Sequence, residues 1–295
     1  RLPADFRTRH ADYLRRLQNP DGGWPGREGG SDLYYTAFAL RGLIVLDALT
    51  PDICQKSAAF LKHSLTQQAS VVDFFSLLYA WMLVQLGGGP DVFADSAKDW
   101  PERVAMLLET FRTADNGYAK TPGGASGSTY HTFLVALCYE MLGKPLPQPD
   151  AVAQFIRSRQ REDGGYVEIA QMRRGGTNPT AAAVAMLQML PDAGFSTEEG
   201  ERVAGFLAEM PSLEGGLRAN GRAPLADLLS TFTGVLTLQA LGALDRIDIG
   251  ETREYVEGLD QPDGGFHGGL WDEGSDVEYT FYGIGCFALL SSDKV

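Results

Sequence analysis

The sequence predicts an all-α fold in which six helical hairpins close into a ring, an (α/α)6 toroid. Two observations support this prediction: a glycine turn that recurs about every 48 residues, and an apolar helical segment after each turn. A third is the lack of the polar terminal repeats that an open stack of hairpins needs to cover its ends. We therefore expect one domain over residues 1–295, with repeats at 9–49, 51–88, 101–144, 150–192, 197–244 and 250–292.

Each turn consists of polar residues, one or two glycines, and then a large hydrophobic residue. The last glycines are at positions 23, 117, 165, 216 and 265, and the double gap after the first predicts a copy near residue 70 that has lost its glycines. Glycine takes a positive φ at little cost and allows close backbone approach, which a turn re-entering the core requires. We expect the residue after the glycines to pack beneath the turn. The five turns are Gln18–Trp24, Thr113–Tyr118, Gln160–Tyr166, Ser212–Leu217 and Asp260–Phe266.

A threonine or serine opens the apolar segment of every repeat. These segments are apolar nearly all round, as in helices buried on every side, whereas those before the turns, such as Ala151–Arg159, are amphipathic. Each repeat is therefore predicted to have an outer solvated helix, a turn and an inner buried helix. The marker residues are Thr36, Ser76, Thr132, Thr180, Thr231 and Thr280.

Composition excludes several functional classes. A net charge of −13 disfavours nucleic-acid binding, because phosphates would be repelled. No run of eighteen apolar residues predicts a transmembrane helix, and the first residues lack the apolar stretch of a signal peptide. Cys54, Cys138 and Cys286 have no paired spacing, so we expect buried thiols in a reducing compartment and a cytoplasmic location.

The repeated glycine turn followed by an inner helix, over residues 13–292, resembles the β-subunits of protein prenyltransferases and the repeats of squalene and diterpene cyclases. The resemblance implies inner helices around an apolar cavity that holds an isoprenoid, with a diphosphate favoured at their N-termini. It also implies a helical α-subunit as a partner and Mg²⁺ as a companion of a diphosphate substrate.

The zinc ligands of the prenyltransferases are not retained. That family has Asp-x-Cys at its fifth inner helix and a His before the sixth marker threonine. Asp227 matches the Asp, but Leu229 occupies the Cys position and Tyr279 the His position. One ligand of three cannot hold zinc, so no metal site is predicted, and a zinc-dependent protein geranylgeranyl- or farnesyltransferase is a disfavoured alternative.

The general acid of class II terpene cyclases is the middle Asp of Asp-x-Asp-Asp-Thr. Here the sixth repeat has Asp276-Val277-Glu278-Tyr279-Thr280, with Glu278 in the position of the acid. Asp276 and Glu278 are therefore the candidate catalytic residues, because a carboxyl group kept neutral in an apolar cavity can donate a proton. The alternative is helix capping, since Asp32, Asp227 and Asp276 all lie four residues before their threonine.

Aromatic and basic residues near the inner-helix N-termini are the candidate substrate-binding groups. Aromatic faces suit an isoprenoid and stabilise cations, although bulky fillers at the centre of the ring would leave the same pattern. His131 is the one histidine directly before a marker threonine, and arginines in the loops before inner helices four and five are candidates for a diphosphate. The predicted substrate-binding residues are Tyr34, Tyr35, Phe75, His131, Tyr279, Arg173, Arg174, Arg218 and Arg222.

The sequence thus favours a prenyltransferase- or terpene-cyclase-like protein that binds or transforms an isoprenoid, with or without a diphosphate, in an aromatic cavity and without zinc. A non-enzymatic toroid that serves as a binding or scaffold module is the competing interpretation.

Overall fold

The computed structural model describes residues 2–66, 68–190 and 194–291. These residues form twelve α-helices, a short 3-10 helix and one two-stranded antiparallel ribbon, so the all-α class is confirmed. The ribbon pairs β1 (Trp24–Pro25) with β2 (Ser31–Asp32). The helices are α1 (Ala4–Arg16), α2 (Leu33–Val45), α3 (Pro51–His63), α4 (Val71–Leu86), α5 (Trp100–Glu109), α6 (Thr129–Met141), α7 (Pro149–Ser158), α8 (Thr177–Met189), α9 (Thr197–Ala208), α10 (Leu228–Ala240), α11 (Ile249–Leu259) and α12 (Val277–Leu290).

Six hairpins follow one another as predicted, each with an odd-numbered helix before the turn and an even-numbered helix after it. The second hairpin, α3 and α4, has no glycine turn, also as predicted. The inner helices are buried along most of their length, and those before the turns have one solvated face. The predicted repeat ends at residues 192 and 292 lie outside the described residues.

The chain divides into two compact units. One comprises residues 1–105 and 259–295 and is called the terminal unit below, and the other comprises residues 106–258 and is called the middle unit. The terminal unit contains α1 to α4 and α12, with α2 packed between α4 and α12. In the middle unit, α8 packs between α6 and α10.

Side-chain caps begin most of the inner helices. Asp32, Asp227 and Asp276 accept backbone N–H bonds at the start of α2, α10 and α12. Ser70 and Ser128 do the same for α4 and α6. Each cap satisfies an N–H group that has no partner within its own helix. The predicted capping role of the aspartates is therefore confirmed by their hydrogen bonds.

Where a glycine turn is present, it packs against the outer helix of a neighbouring hairpin. Gly22 has a φ of +93°, and a Cβ at this position would lie 2.0 Å from the carbonyl oxygen of Lys56 in α3. In the last repeat, Gly264 has a φ of +86° and a Cβ would lie 2.7 Å from the carbonyl oxygen of Arg9 in α1. Both the positive φ and the backbone contact require glycine.

Four of the marker threonines accept a hydrogen bond from the residue that follows their glycine turn. The Trp24 backbone N–H donates to Thr36 Oγ1 at 2.9 Å, and the Tyr118 N–H donates to Thr132 Oγ1 at the same distance. Equivalent bonds join Tyr166 to Thr180 and Leu217 to Thr231. The side chains after the glycines are fully buried, as predicted: Trp24, Tyr118, Tyr166, Leu217 and Phe266 are all 0% exposed.

The first and last repeats pack against each other within the terminal unit, as a closed ring of hairpins requires. Helix α2 contacts α12. The Arg9 guanidinium donates to both oxygens of Asp260 at 2.6 and 2.7 Å. Next to it, the buried His10 accepts the Gly265 N–H through Nδ1 at 3.1 Å, and its Nε2 lies 3.3 Å from Asp260. These contacts join the first outer helix to the last glycine turn.

Two further expectations concern the thiols and the membrane. Cys54, Cys138 and Cys286 are free and fully buried, as predicted. Burial raises the pKa of all three thiols above the ordinary value, which disfavours the reactive thiolate form. Across the described parts of the chain, no helix combines the length and hydrophobicity needed to cross a bilayer.

Candidate functional site

The candidate acid Glu278 lies in the first turn of α12, next to the first turn of α2. The Tyr34 hydroxyl donates to Glu278 Oε1 at 2.6 Å, and the Tyr282 hydroxyl donates to the same oxygen at 3.1 Å. The two phenols come from different helices and fix the orientation of the carboxyl group. Because both phenols bind Oε1, Oε2 is the oxygen suited to hold a proton.

The surroundings of Glu278 favour its neutral form. Burial raises the pKa of Glu278 above its ordinary value, and the negative charge of Asp276 acts in the same direction. The two phenol hydrogen bonds and Arg27 act in the opposite direction, but burial is the largest effect. A carboxyl group with a raised pKa and a fixed orientation is a suitable general acid.

Asp276 has a different role from Glu278. Its Oδ1 accepts the Tyr279 N–H at 2.9 Å to cap α12, and its Oδ2 accepts Arg27 Nε at 2.8 Å. The Arg27 guanidinium also donates to both oxygens of Asp272, at 2.5 and 2.8 Å. This pairing lowers the pKa of Asp272 to about 2. Both carboxylates are thus engaged in holding the loop before α12 in place, which leaves Glu278 as the candidate acid of this cluster.

A pocket of about 550 Å³ opens at this cluster. Its ionisable lining residues are Arg27, Glu28, Asp276 and Glu278, and Arg27 is already paired with Asp272 and Asp276. The excess of negative charge makes the pocket unsuited to a diphosphate and suited to a neutral or cationic group. Its lining residues are Gly26, Arg27, Glu28, Tyr35, Asp276, Glu278 and Tyr279.

Aromatic side chains extend from Glu278 along α2. Tyr34 packs edge-to-face on Phe38 with ring centroids 4.8 Å apart, and Phe38 packs in turn on Tyr282 and Phe281. Arg41 lies one turn beyond Phe38, with its guanidinium carbon 4.7 Å from the Phe38 ring centroid. These residues form one connected group of side chains in the terminal unit, of which Phe38, Phe75 and Tyr282 are buried. We call this group the aromatic surface: Tyr34, Phe38, Arg41, Phe75, Tyr79, Phe281 and Tyr282.

The structure divides the predicted site residues between the two units. Those that it brings together are in the terminal unit, where Tyr34 contacts Glu278, Tyr35 and Tyr279 line the pocket, and Phe75 belongs to the aromatic surface. The remaining predicted residues are in the middle unit: His131, Arg173, Arg174, Arg218 and Arg222.

In the middle unit, the predicted basic residues differ in their surroundings. Arg218 turns back to donate to the carbonyl oxygens of Met210 and Glu209 at 3.1 and 2.7 Å. Arg173, Arg174 and Arg222 are exposed on loops. Their predicted role in binding a diphosphate stays a prediction.

His131 is half-buried near the start of α6. Burial, together with the nearby charge of Lys120, lowers its pKa to about 4, so His131 is neutral at neutral pH. At the start of the same helix, the Ser128 hydroxyl donates a hydrogen bond to Glu168, and burial raises the pKa of Glu168. A role for His131 in substrate binding remains a prediction.

The residues at the zinc positions of the prenyltransferases do not fit a zinc ion. Leu229 has no ligating atom, and both oxygens of Asp227 accept hydrogen bonds from Ser230, at 2.7 Å from its N–H and 2.8 Å from its hydroxyl. Within the described ranges, no group of three or more His, Cys, Asp and Glu side chains is placed to hold a metal.

Sequence reasoning missed four residues of this site: Arg27, Phe38, Arg41 and Tyr282. Arg41 had a visible signal, because it is the one charged residue in the apolar segment Ala37–Leu46. Tyr282 also had one, since it lies one helical turn after Glu278. Arg27 had none, because its contact with Asp276 joins the first and last repeats.

Comparison with known proteins identifies the family. The model of the prenyltransferase alpha-alpha toroid domain matches residues 1–76, 64–223 and 183–295, which together span the chain. The chain belongs to this family. Membership confirms the predicted α/α toroid class and the predicted superfamily. None of the curated proteins matches the sequence.

Solved structures share the fold at low sequence identity. Candida albicans protein geranylgeranyltransferase-I, complexed with GGPP, is 12% identical with a TM-score of 0.72, covering 97% of this chain and 92% of that one. A variant of the type II terpene cyclase MstE from Scytonema, in complex with its substrate geranylgeranyl dihydroxybenzoate, is 13% identical with a TM-score of 0.68, covering 98% and 96%. The GH76A alpha-1,6-mannanase from Salegentibacter is 10% identical with a TM-score of 0.63, covering 98% of both chains. Since these proteins differ in activity, the fold alone does not decide the function.

Proposed function

We propose that this protein binds an isoprenoid chain on the aromatic surface of its terminal unit and that Glu278 protonates a double bond of that chain. The observation that supports the proposal most strongly is the state of Glu278. Two phenols orient its carboxyl group, burial raises its pKa, and it lines a pocket. The presence of isoprenoid-binding proteins among the structural neighbours is consistent with this choice of ligand.

The proposed reaction begins with proton transfer from Glu278 Oε2. The π electrons of the double bond form a new C–H bond and leave a tertiary carbocation. A second double bond then supplies the electrons for a C–C bond, and loss of a proton from the product cation gives a neutral alkene. Glu278 regains its proton from water. The nearby aromatic faces and the negative charges of Glu28 and Asp276 stabilise the positive charge formed at this end.

This proposal requires no zinc, because Leu229 and Tyr279 stand where the prenyltransferases have their zinc-binding Cys and His. It also places no diphosphate in the Glu278 pocket, whose lining is acidic. A diphosphate group with its Mg²⁺ would therefore bind outside this pocket.

The test uses incorporation of solvent deuterium. Wild-type protein, Glu278→Gln and Glu273→Gln are incubated in D₂O with farnesyl and geranylgeranyl diphosphate and with the matching alcohols, and products are analysed by mass spectrometry. Glu273 is an exposed acid of the same loop and is the matched control. We expect cyclic products with one deuterium from wild type and Glu273→Gln, and none from Glu278→Gln. Binding without product in the wild type would contradict the acid role, and absence of binding by all four compounds would contradict the proposal as a whole.

A further inference from the structure

Arg27 connects two walls of the pocket described above. It lies in the loop that joins β1 to β2, residues 26–30, which we call the ribbon loop. Its Nε donates to Asp276 at 2.8 Å, and its two terminal nitrogens donate to Asp272 at 2.5 and 2.8 Å. One of these nitrogens also donates to the Gly274 carbonyl oxygen at 3.0 Å. A single side chain therefore holds the ribbon loop against the segment before α12.

The ribbon loop is itself part of the pocket wall. Three of the seven residues that line the pocket belong to this loop, namely Gly26, Arg27 and Glu28. The tip of the loop is open, because a Cβ added at Gly29 or Gly30 would meet no described atom within 4 Å. The loop is thus anchored at its base by the two paired strands and at the pocket by Arg27. The contacts of Arg27 therefore hold this wall in place.

The segment before α12 is shaped to receive the guanidinium. A Cβ at Gly274 would lie 2.7 Å from Arg27 Nη1, so glycine leaves the space that the guanidinium occupies. The side chains of Asp272 and Asp276 are only 10% and 6% exposed. Removal of the cation that binds two nearly buried carboxylates is unfavourable, because their charges would lose a partner away from water. This arrangement favours the closed position of the ribbon loop.

The charge of Arg27 also acts on Glu278. Burial raises the pKa of Glu278, the negative charge of Asp276 adds to this effect, and the positive charge of Arg27 opposes it. The phenols nearby are uncharged at neutral pH. Because Arg27 binds Asp276 directly, its loss would remove the opposing charge and leave that of Asp276 unbalanced. The titratable and charged groups around Glu278 are Tyr34 and Tyr35 of α2, Tyr279 and Tyr282 of α12, Asp276 at the cap of α12, and Arg27 and Glu28 of the ribbon loop.

We propose that Arg27 is a positioning residue for the proposed general acid: it closes the pocket wall formed by the ribbon loop, and it offsets the charge of Asp276 next to Glu278. Proton transfer becomes slower as an acid becomes weaker, so a cation beside Glu278 favours the transfer. Arg27 acts through the pocket wall and through Glu278, and not on the reacting atoms. The acid role of Glu278 rests on the function proposed above, whereas the closure and the charge effect rest on the contacts of Arg27.

Two measurements on the ligand-free protein test this role. NMR of protein labelled with ¹³C at the glutamate carboxyl carbon follows the titration of Glu278, whose signal is assigned by its loss in Glu278→Gln. Hydrogen exchange, followed by mass spectrometry, reports opening of the ribbon loop. Arg27→Met removes the charge and the contacts, whereas Arg27→Lys preserves the charge without the planar fork. Arg103→Met is the matched control, because Arg103 is an exposed arginine of the same unit that pairs with Asp99.

We expect Arg27→Met to raise the titration midpoint of Glu278 by about one pH unit, since a nearby opposite charge shifts the pKa of a carboxyl group by about that much or more. Arg27→Lys should titrate closer to wild type. Both variants should exchange faster than wild type in the ribbon loop, and Arg103→Met should change neither measurement. In deuterium incorporation, the loss of rate at high pH should occur at a higher pH in Arg27→Met, and the rate below that pH should be lower because the acid is weaker.

An unchanged midpoint of Glu278 in Arg27→Met, or unchanged exchange in the ribbon loop, would overturn the proposal. Should Arg27→Met not fold, as judged by circular dichroism, Gly274→Ala replaces it, because the new methyl group displaces the guanidinium and keeps every charge. Unchanged midpoint and exchange in Gly274→Ala would then overturn the proposal. A raised midpoint in Arg27→Met, with no deuterium incorporation by wild type, would leave the effect of Arg27 on Glu278 standing and refute the proposed function instead.

Discussion

Substitution of a marker threonine tests how the glycine turn and the inner helix of one repeat are held together. Thr132 and Tyr118 are both 0% exposed. The Thr132 hydroxyl accepts the Tyr118 N–H at 2.9 Å and donates to the Ser128 carbonyl at 2.7 Å. Thr132→Val preserves the volume of the side chain and removes the acceptor, so the Tyr118 N–H is left buried without a partner. A buried unsatisfied donor costs about 1–3 kcal/mol, and we expect the free energy of unfolding to fall by that amount.

Thr132→Ser is the matched control, because it retains the hydroxyl and removes one buried methyl group. That removal costs about 0.8 kcal/mol in apolar burial. Urea unfolding, followed by tryptophan fluorescence and circular dichroism, measures both variants. We expect the Val variant to be less stable than the Ser variant. If packing alone made the threonine necessary, Val would equal wild type and Ser would be the less stable of the two, and this order would refute our account of the repeat.

Two further predictions concern stability. Gly22→Ala should lower the free energy of unfolding by about 1–3 kcal/mol, because the new Cβ would clash with the Lys56 carbonyl and the positive φ would be strained. Gly29→Ala is the control and should cost less, because Gly29 has a similar φ of +90° but no described atom within 4 Å. Equal losses of stability in urea unfolding would contradict the role of the Lys56 contact. Glu278→Gln should remove a pH dependence. Because the pKa of Glu278 is raised in the folded protein, its contribution to stability is lost as the pH rises from the unfolded-state pKa to the folded-state pKa. Glu278→Gln should therefore gain stability relative to wild type over that pH range, as measured by chemical unfolding at a series of pH values. A stability difference that does not change with pH would contradict the raised pKa.

The repeat architecture could be predicted from sequence because it depends on local rules that recur. A glycine with positive φ, a cap four residues before a threonine and an apolar inner segment each leave a signal within about fifteen residues. The second hairpin was predictable without its glycines, since Ser76 and the apolar segment after it retained the spacing. Helix α4 nevertheless begins earlier, at Val71, with a cap at Ser70.

The site was only partly predictable, because its contacts join distant parts of the chain. Glu278 was found from the pattern before its threonine, but its partner Tyr34 is 244 residues away. Arg27 and Asp276 are 249 residues apart, and their ion pair is what separates the role of Asp276 from that of Glu278. The contacts of Arg218 were not predictable either: its guanidinium donates to two backbone carbonyls, and its predicted role in binding a diphosphate stays a prediction.

Photolabelling tests the central claim most directly, which is that the aromatic surface of the terminal unit binds an isoprenoid chain. A geranylgeranyl diphosphate analogue with a diazirine at the far end of the chain is irradiated with the protein, and labelled peptides are identified by mass spectrometry. We expect labels within α2 and α12, near Tyr34 and Glu278, that unlabelled geranylgeranyl diphosphate removes by competition. Labels confined to residues 106–258, or labels that the competitor does not remove, would contradict the account.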